Sequence, residues 1–253
     1  MIANYHTHTT RCHHAVGSEE EYCISAINYK LKILGFSDHT PYPFPEGHVS
    51  NFRMEMDRLE DYVETILALK SKYKDKIDIK LGLEVEYYPK YFDKLLGILE
   101  NYPIEYMIQG QHFVGNEIND HYCGDVTDSD ELLERYCKQS IEGFETGKFA
   151  YFCHPDLFNY IGSDKTYDKW MRYLCQSARE LNIPLEINQL GLVTKRNYPN
   201  ERFWKIAGEE GCIAILGSDA HNPKAICNEE TQAYSLEMVD RFGLRLIDSL
   251  EIC

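Results

Sequence analysis

At 253 residues, 43% hydrophobic and 26% charged, the chain has the make-up of a folded globular protein and not of a disordered or fibrous one. Its formal net charge of -15 argues against binding to phosphate backbones, so no nucleic-acid partner is expected, and a phosphorylated ligand must meet positive charge supplied locally. No apolar run approaches the roughly 20 residues that a bilayer span needs, and the N-terminus has no basic stretch leading into an apolar core. Neither a membrane nor export is therefore expected, and the chain is read as cytoplasmic. The nine cysteines contain no CxxC pair, which excludes zinc knuckles and redox pairs. They read as free thiols in a reducing compartment, acting as small hydrophobes.

In chain order, short apolar runs alternate with amphipathic stretches. The first run, MIANYH, leads into SEEEYCISAINYKLK, which opens with Ser18 as a helix cap and acidic residues in its first turn. LKILGFSDH is followed by RMEMDRLEDYVETILALKSKY, with apolar positions at helical spacing. IDIKLGLEVEYY and IEYMIQGQHF come next, then DELLERYCKQSIEGFETG, a helix closing on glycine. FAYFCHP precedes DKWMRYLCQSAREL, PLEINQ precedes NERFWKIAGEEG, and CIAILGSDAH closes the series. Strand and helix in alternation predict parallel strands with helical crossovers. Seven strands are too few for a complete eight-stranded barrel. The expectation is α/β, a distorted (β/α)7 TIM-like barrel in a single domain over residues 1–253.

Chemistry in such barrels gathers at the C-terminal ends of the strands. Here the runs end in His6 and His8, in Asp38-His39, in Glu84 and Glu86, in His112, in His154, in Glu186 and Asn188, and in Asp219 and His221. Residues two apart on a strand share a face, so His6 and His8 form a ready chelate, and Asp219 with His221 repeats the spacing. Imidazole and carboxylate donors suit zinc, iron and manganese. His13 and His14 compete for a further ligand position, and spacing favours His14. His48 and His121 lie in polar loops outside the set.

These residues resemble the polymerase-and-histidinol-phosphatase (PHP) superfamily. The resemblance rests on His6-Thr7-His8, Asp38-His39, Glu84 in GLEVEY, His112 in GQHF, His154 in CHPD and Asp219-Ala220-His221. Within it, GFSDHTPYPFP and LEINQLGLVTKRNYP look like the loops of stand-alone histidinol-phosphate phosphatases. The resemblance implies three divalent ions (zinc, iron or manganese). One would be held by His6, His8, Glu84 and Asp219, a second by Glu84, His112 and His154, and a third by His14, His39 and His221. Glu86 shares a face with Glu84, but the Gly-x-Glu context favours Glu84.

The activity so implied is hydrolysis of L-histidinol phosphate, a small phosphorylated substrate, by in-line attack of a bridging hydroxide. The ions would leave the pocket near about +3, recruiting phosphate into an acidic molecule. Arg196 and Arg53 are the candidate phosphate contacts, Asn188 a candidate substrate contact, and Asp38 a partner orienting a ligand histidine. The alternatives are a phosphoesterase for nucleotides, oligonucleotides or phosphotyrosine, and a metal-binding domain without catalysis.

Overall fold

The computed structural model describes residues 1–45, 47–118 and 121–252. β1 (Ala3–Asn4) is followed by α1 (Glu19–Asn28), β2 (Ile33–His39) by α2 (Leu59–Tyr73), and β3 (Asp78–Val85) by α3 (Phe92–Leu99). β4 (Tyr106–Gln109) leads through a small hairpin, β5 (Phe113–Val114) and β6 (His121–Tyr122), into α4 (Asp130–Glu145). Then come β7 (Tyr151–Phe152) and α5 (Asp164–Glu180), and β8 (Leu185–Asn188) with α6 (Gln189–Thr194) and α7 (Glu201–Glu209). β9 (Ile213–Gly217), α8 (Glu229–Phe242) and β10 (Arg245–Leu246) complete the chain.

The strands form one parallel sheet in the order β1-β2-β3-β4-β7-β8-β9-β10. The sheet curls back on itself. Past the end of β1, Thr7 pairs with Ala220, past the end of β9. His8 N donates to Ala220 O at 3.0 Å, and Ala220 N donates to His6 O at 3.1 Å. The C-terminal rim is thereby closed, and the fold is the expected TIM-like barrel. All seven expected strands form. β10 is an additional edge strand, too short and too polar to announce itself in the sequence.

Local chemistry sets the helix ends. At α1, Ser18 Oγ accepts from Glu21 N while Ser18 N donates to the Glu21 carboxylate at 2.7 Å, a reciprocal capping pair. Asn188 caps α6 and Asn228 caps α8 through their side-chain oxygens. Helices α3, α6 and α8 were not expected from the sequence. α6 spans under two turns, too few for a readable helical stripe, whereas in α3 the apolar residues Phe92, Leu95, Leu96 and Leu99 fall at helical spacing, a signal that FDKLLGIL does carry.

Two apolar layers lie between sheet and helices, one built around Phe36, Ile66 and Leu81, the other around Phe152, Leu174 and Trp204. The barrel interior holds a smaller cluster that includes Tyr5, Tyr106, Ile108, Tyr151 and Ile215. Tyr106 OH donates to Tyr5 O at 2.7 Å, which ties the interior to the β1 segment. The β2–β3 register pairs His39 with Glu84, and the β8–β9 register pairs Asn188 with Gly217, so residues far apart in sequence share one rim.

Candidate metal centre

Glu84, the penultimate residue of β3 and fully buried, is the hub. Its Oε2 lies 2.9 Å from His39 Nδ1 and 3.5 Å from both His6 Nε2 and His8 Nε2. Its Oε1 lies 2.9 Å from His154 Nε2 and 3.5 Å from His112 Nε2. Asp219 Oδ1 is 3.1 Å from His8 Nε2, 3.5 Å from His6 Nε2 and 3.3 Å from His221 Nδ1. His14 stands at the mouth, its ring centroid 4.5 Å from that of His221 and 5.5 Å from that of His39.

Candidate ligand atoms crowd together accordingly. Those of His6, His8 and Asp219, of His8, His39 and Glu84, and of His14, His39 and His221 each lie within 4.8 Å of one another. His6 Nε2, His8 Nε2, His39 Nδ1, Glu84 Oε2, Asp219 Oδ1 and His221 Nε2 are buried without a hydrogen-bond partner. Buried polar atoms are nearly always satisfied, so this concentration of orphans is what a cation site requires. The donor set fits divalent metal ions.

Electrostatics agree. Burial opposes ionisation of Glu84, yet His39, His112 and His6 hold its carboxyl well below the usual range. Asp219 behaves likewise through His6, His8 and His221. Burial depresses His6, but Asp219, Glu186 and Glu84 outweigh it and push its pKa up to about 10. Burial, reinforced by His8, takes His221 down to about 3.

In three of the histidines the ring nitrogen that does not face the hub is held by a second carboxylate, whereas His154 Nδ1 is buried without a partner. His6 Nδ1 is 2.9 and 3.1 Å from the two oxygens of Glu186, and His8 Nδ1 is 3.3 Å from Asp38 Oδ1. His112 Nδ1 is 2.9 Å from Glu86 Oε1. Asp38 thus holds a histidine, as the sequence suggested, and Glu86 is a brace and not a rival to Glu84. Glu186, seen in the sequence only as a polar strand end, also accepts from His154 N, Asn188 Nδ2 and Tyr151 OH. Gly110 and Gly217 permit these approaches, since a Cβ on either would collide with the Glu84 or Glu186 carboxylate.

Of the two adjacent histidines, His14 joins the cluster. His13 turns outward in a left-handed conformation (φ 68°), its Nε2 3.3 Å from Glu55 Oε1. His48 pairs with Glu117, and His121 packs on Phe158. The thiols of Cys12 and Cys153, left out of the sequence-based set, lie within reach of it: Cys12 beside His8 and His221, Cys153 beside His6, Glu84 and His154.

A cavity of ≈ 290 Å³ opens above the cluster. Arg196 and Tyr198 line it, with Arg196 Nη1 donating to Tyr198 OH at 3.2 Å, and Asn51, Phe52, Phe113, Tyr122 and Leu190 complete the wall. Two expected substrate contacts are corrected. Arg53 is buried below, its guanidinium spent on Glu86 (2.8 and 3.0 Å), Glu117 and Thr40 O. Asn188 is fully buried, bracing Asp219 Oδ2 at 3.1 Å and Glu186 Oε2 at 2.9 Å while it caps α6. Neither faces the cavity.

The sequence profile of the PHP domain matches residues 4–190. The probable histidinol-phosphatase of Deinococcus radiodurans is 28% identical over 234 residues, covering 88% of this chain and 87% of that protein. The histidinol-phosphatase of Bacillus subtilis is 28% identical over 255 residues, covering 85% and 92%. A solved histidinol phosphate phosphatase from Lactococcus lactis, complexed with zinc, L-histidinol and phosphate, superposes with a TM-score of 0.74 at 19% identity, covering 97% of this chain and 95% of that one. At that identity the likeness is one of fold.

Proposed function

The chain belongs to the PHP domain family, and from that premise we propose that it is a metal-dependent histidinol-phosphatase, hydrolysing L-histidinol phosphate to L-histidinol and phosphate. The observation that carries the reading is the convergence of side chains from all seven rim strands on the Glu84 and Asp219 carboxylates, at the floor of a cavity with Arg196 in its wall.

His6, His8, Glu84 and Asp219 would hold one divalent ion, Glu84, His112 and His154 a second, and His14, His39 and His221 a third, of zinc, iron or manganese. When bound, such ions supply Lewis acidity toward phosphoryl oxygens and make hydroxide available near neutral pH. The chain's own groups do the rest. Glu186, Asp38 and Glu86 fix the orientation of His6, His8 and His112. Arg196, at the mouth, offers a forked donor to the phosphate oxygens that face away from the floor. Phe52, Phe113 and Tyr122 give an aromatic wall against which an imidazole ring packs. The cavity suits a small monoester and sits at the low end of ligand-site volumes. Among the described residues no helix is long and apolar enough to cross a membrane.

The test is steady-state phosphate release from L-histidinol phosphate beside p-nitrophenyl phosphate, a nucleotide and a phosphotyrosine peptide, with His6→Ala and chelated enzyme as controls. The proposal expects histidinol phosphate to exceed the others by orders of magnitude in kcat/KM and both controls to be inactive. Equal, slow turnover of all four by metal-loaded enzyme would overturn the substrate assignment.

A further inference from the structure

Two basic residues that stand outside the metal centre, His48 and Arg53, meet at one carboxylate. Arg53 Nε donates to Glu117 Oε2 at 2.7 Å, and His48 Nε2 lies 2.8 Å from Glu117 Oε1. The Glu117 side chain is 3% exposed, so solvent screens neither contact strongly. His48 and Arg53 belong to the segment between β2 and α2, and Glu117 to the connection between β5 and β6. The carboxylate thus ties together two separate excursions from the barrel rim.

Those two excursions carry the aromatic wall of the cavity, Phe52 on one, Phe113 and Tyr122 on the other. The tie acts on the rings directly. The Arg53 guanidinium stands 4.4 Å from the Phe52 ring centroid. Phe52 meets Phe113 at 5.9 Å between centroids, and Phe113, paired with Tyr122 in the hairpin register, lies 5.5 Å from that ring. Phe52 also packs edge-on against His39 at 5.2 Å, which sets it directly over the metal floor.

We propose that Glu117, through Arg53 and His48, is a positioning residue that fixes the aromatic wall and with it a preference for monoesters whose alcohol bears a flat ring. The inference rests on the phosphatase reading of the site. Glu117 touches no substrate; it holds the rings that do. A loosened wall costs the substrate ring its packing and leaves the phosphate, held at the floor and by Arg196, where it was.

The test compares KM for L-histidinol phosphate and for p-nitrophenyl phosphate with the inhibition constant of inorganic phosphate, all on the holoenzyme. Glu117→Met should raise both KM values about tenfold and His48→Leu about threefold, for the loss of two hydrogen bonds to the carboxylate and of one. Metal content, kcat and the phosphate inhibition constant should hold. His48→Gln, which keeps a donor near the Nε2 position, should retain the wild-type KM. His48→Leu leaves Arg53 paired with both Glu117 and Glu86, so it keeps the test decisive should Glu117→Met fail to fold. Unchanged KM values in folded variants, or an equal rise in the phosphate inhibition constant, would overturn the inference; the latter would trace the effect to His112 through Glu86. Should wild-type enzyme fail on histidinol phosphate, the substrate reading falls, and p-nitrophenyl phosphate still reads the wall.

Discussion

Glu186→Gln isolates the contribution of a residue that should touch no metal. Its carboxylate receives His6 Nδ1 at 2.9 and 3.1 Å, Asn188 Nδ2 at 2.9 Å, and His154 N and Tyr151 OH, each at 3.2 Å. The amide keeps the shape but removes the charge and turns one acceptor into a donor. If the new NH₂ takes the Oε1 position, Tyr151 OH can rotate and accept from it. His6 then keeps only the longer contact, and Asn188 and His154 keep a neutral acceptor. The cost is the difference between charged and neutral acceptors for a buried histidine, about 1–3 kcal/mol. Through His6 this should appear as a 10–100-fold loss of metal affinity, roughly 1.4–2.8 kcal/mol. The assay is competition for zinc against a chromophoric chelator, with thermal melts of the metal-free proteins as the reference for folding. Wild-type affinity in a variant whose metal-free melt is also unchanged would refute the claim that Glu186 sets the His6 ring.

Gly110→Ala drives a Cβ into the Glu84 carboxylate and should abolish stoichiometric metal binding while the far-ultraviolet circular dichroism stays native; retained metal would contradict the close approach. Arg196→Met should lower kcat/KM for phosphomonoesters about 100-fold with metal content unchanged, as for the loss of one donor to developing charge. Arg53→Met should act on stability: it strands the buried carboxylates of Glu86 and Glu117, costing about 3–5 kcal/mol in urea unfolding. Burial, then Glu20 and Glu19, pushes the Cys23 thiol up to about 12. The folded state therefore holds this proton more tightly than the unfolded chain does. The stabilisation is complete below about pH 8.5 and is lost as pH rises toward the folded value, about 2 kcal/mol by pH 10. Cys23→Ala should flatten the decline in urea midpoint between pH 7.5 and pH 10, and an unchanged slope would exclude the thiol as its source.

The rim was legible because the period of a strand is two. His6 and His8, and Asp219 and His221, each read as a pair facing one way, and the polar ends of seven apolar runs marked a common surface. What the sequence did not carry was direction within that surface. Arg53 and Arg196 look alike as basic residues in loops. Only the tertiary structure buries one under Glu86 and Glu117 and leaves the other at the cavity mouth. Asn188 reads equally well as a substrate contact and as a helix cap, and the one-residue step from β8 into α6 decides for the cap. Cys12 and Cys153 gave no signal, because isolated cysteines have no spacing to read.

The same period explains why the carboxylates come in two roles. Glu84 and Glu86 share a face of β3 and its continuation, one step apart along the barrel axis. The lower meets five imidazoles, and the upper meets His112 Nδ1 and Arg53. At β8 the order is different: Glu186 holds His6 from behind, and Asn188, two residues on, holds Asp219. His14, at the mouth, has no carboxylate behind it, and Cys12 O at 2.6 Å takes its Nδ1; His221 Nδ1 lies nearest the carbonyl Asp219 O, at 3.0 Å, with Asp219 Oδ1 farther off at 3.3 Å. Each of these rings is thus fixed by an acceptor on one nitrogen and free on the other. The difference lies in the strength of the acceptor. Carboxylates raise the basicity of the rings they hold, and carbonyls do so less. The site grades accordingly from strongly supported donors at the floor, His6, His8 and His112, to weakly supported ones at the mouth. On that grading an ion held by His14, His39 and His221 should be the first to leave under a chelator, and the ions around Glu84 the last.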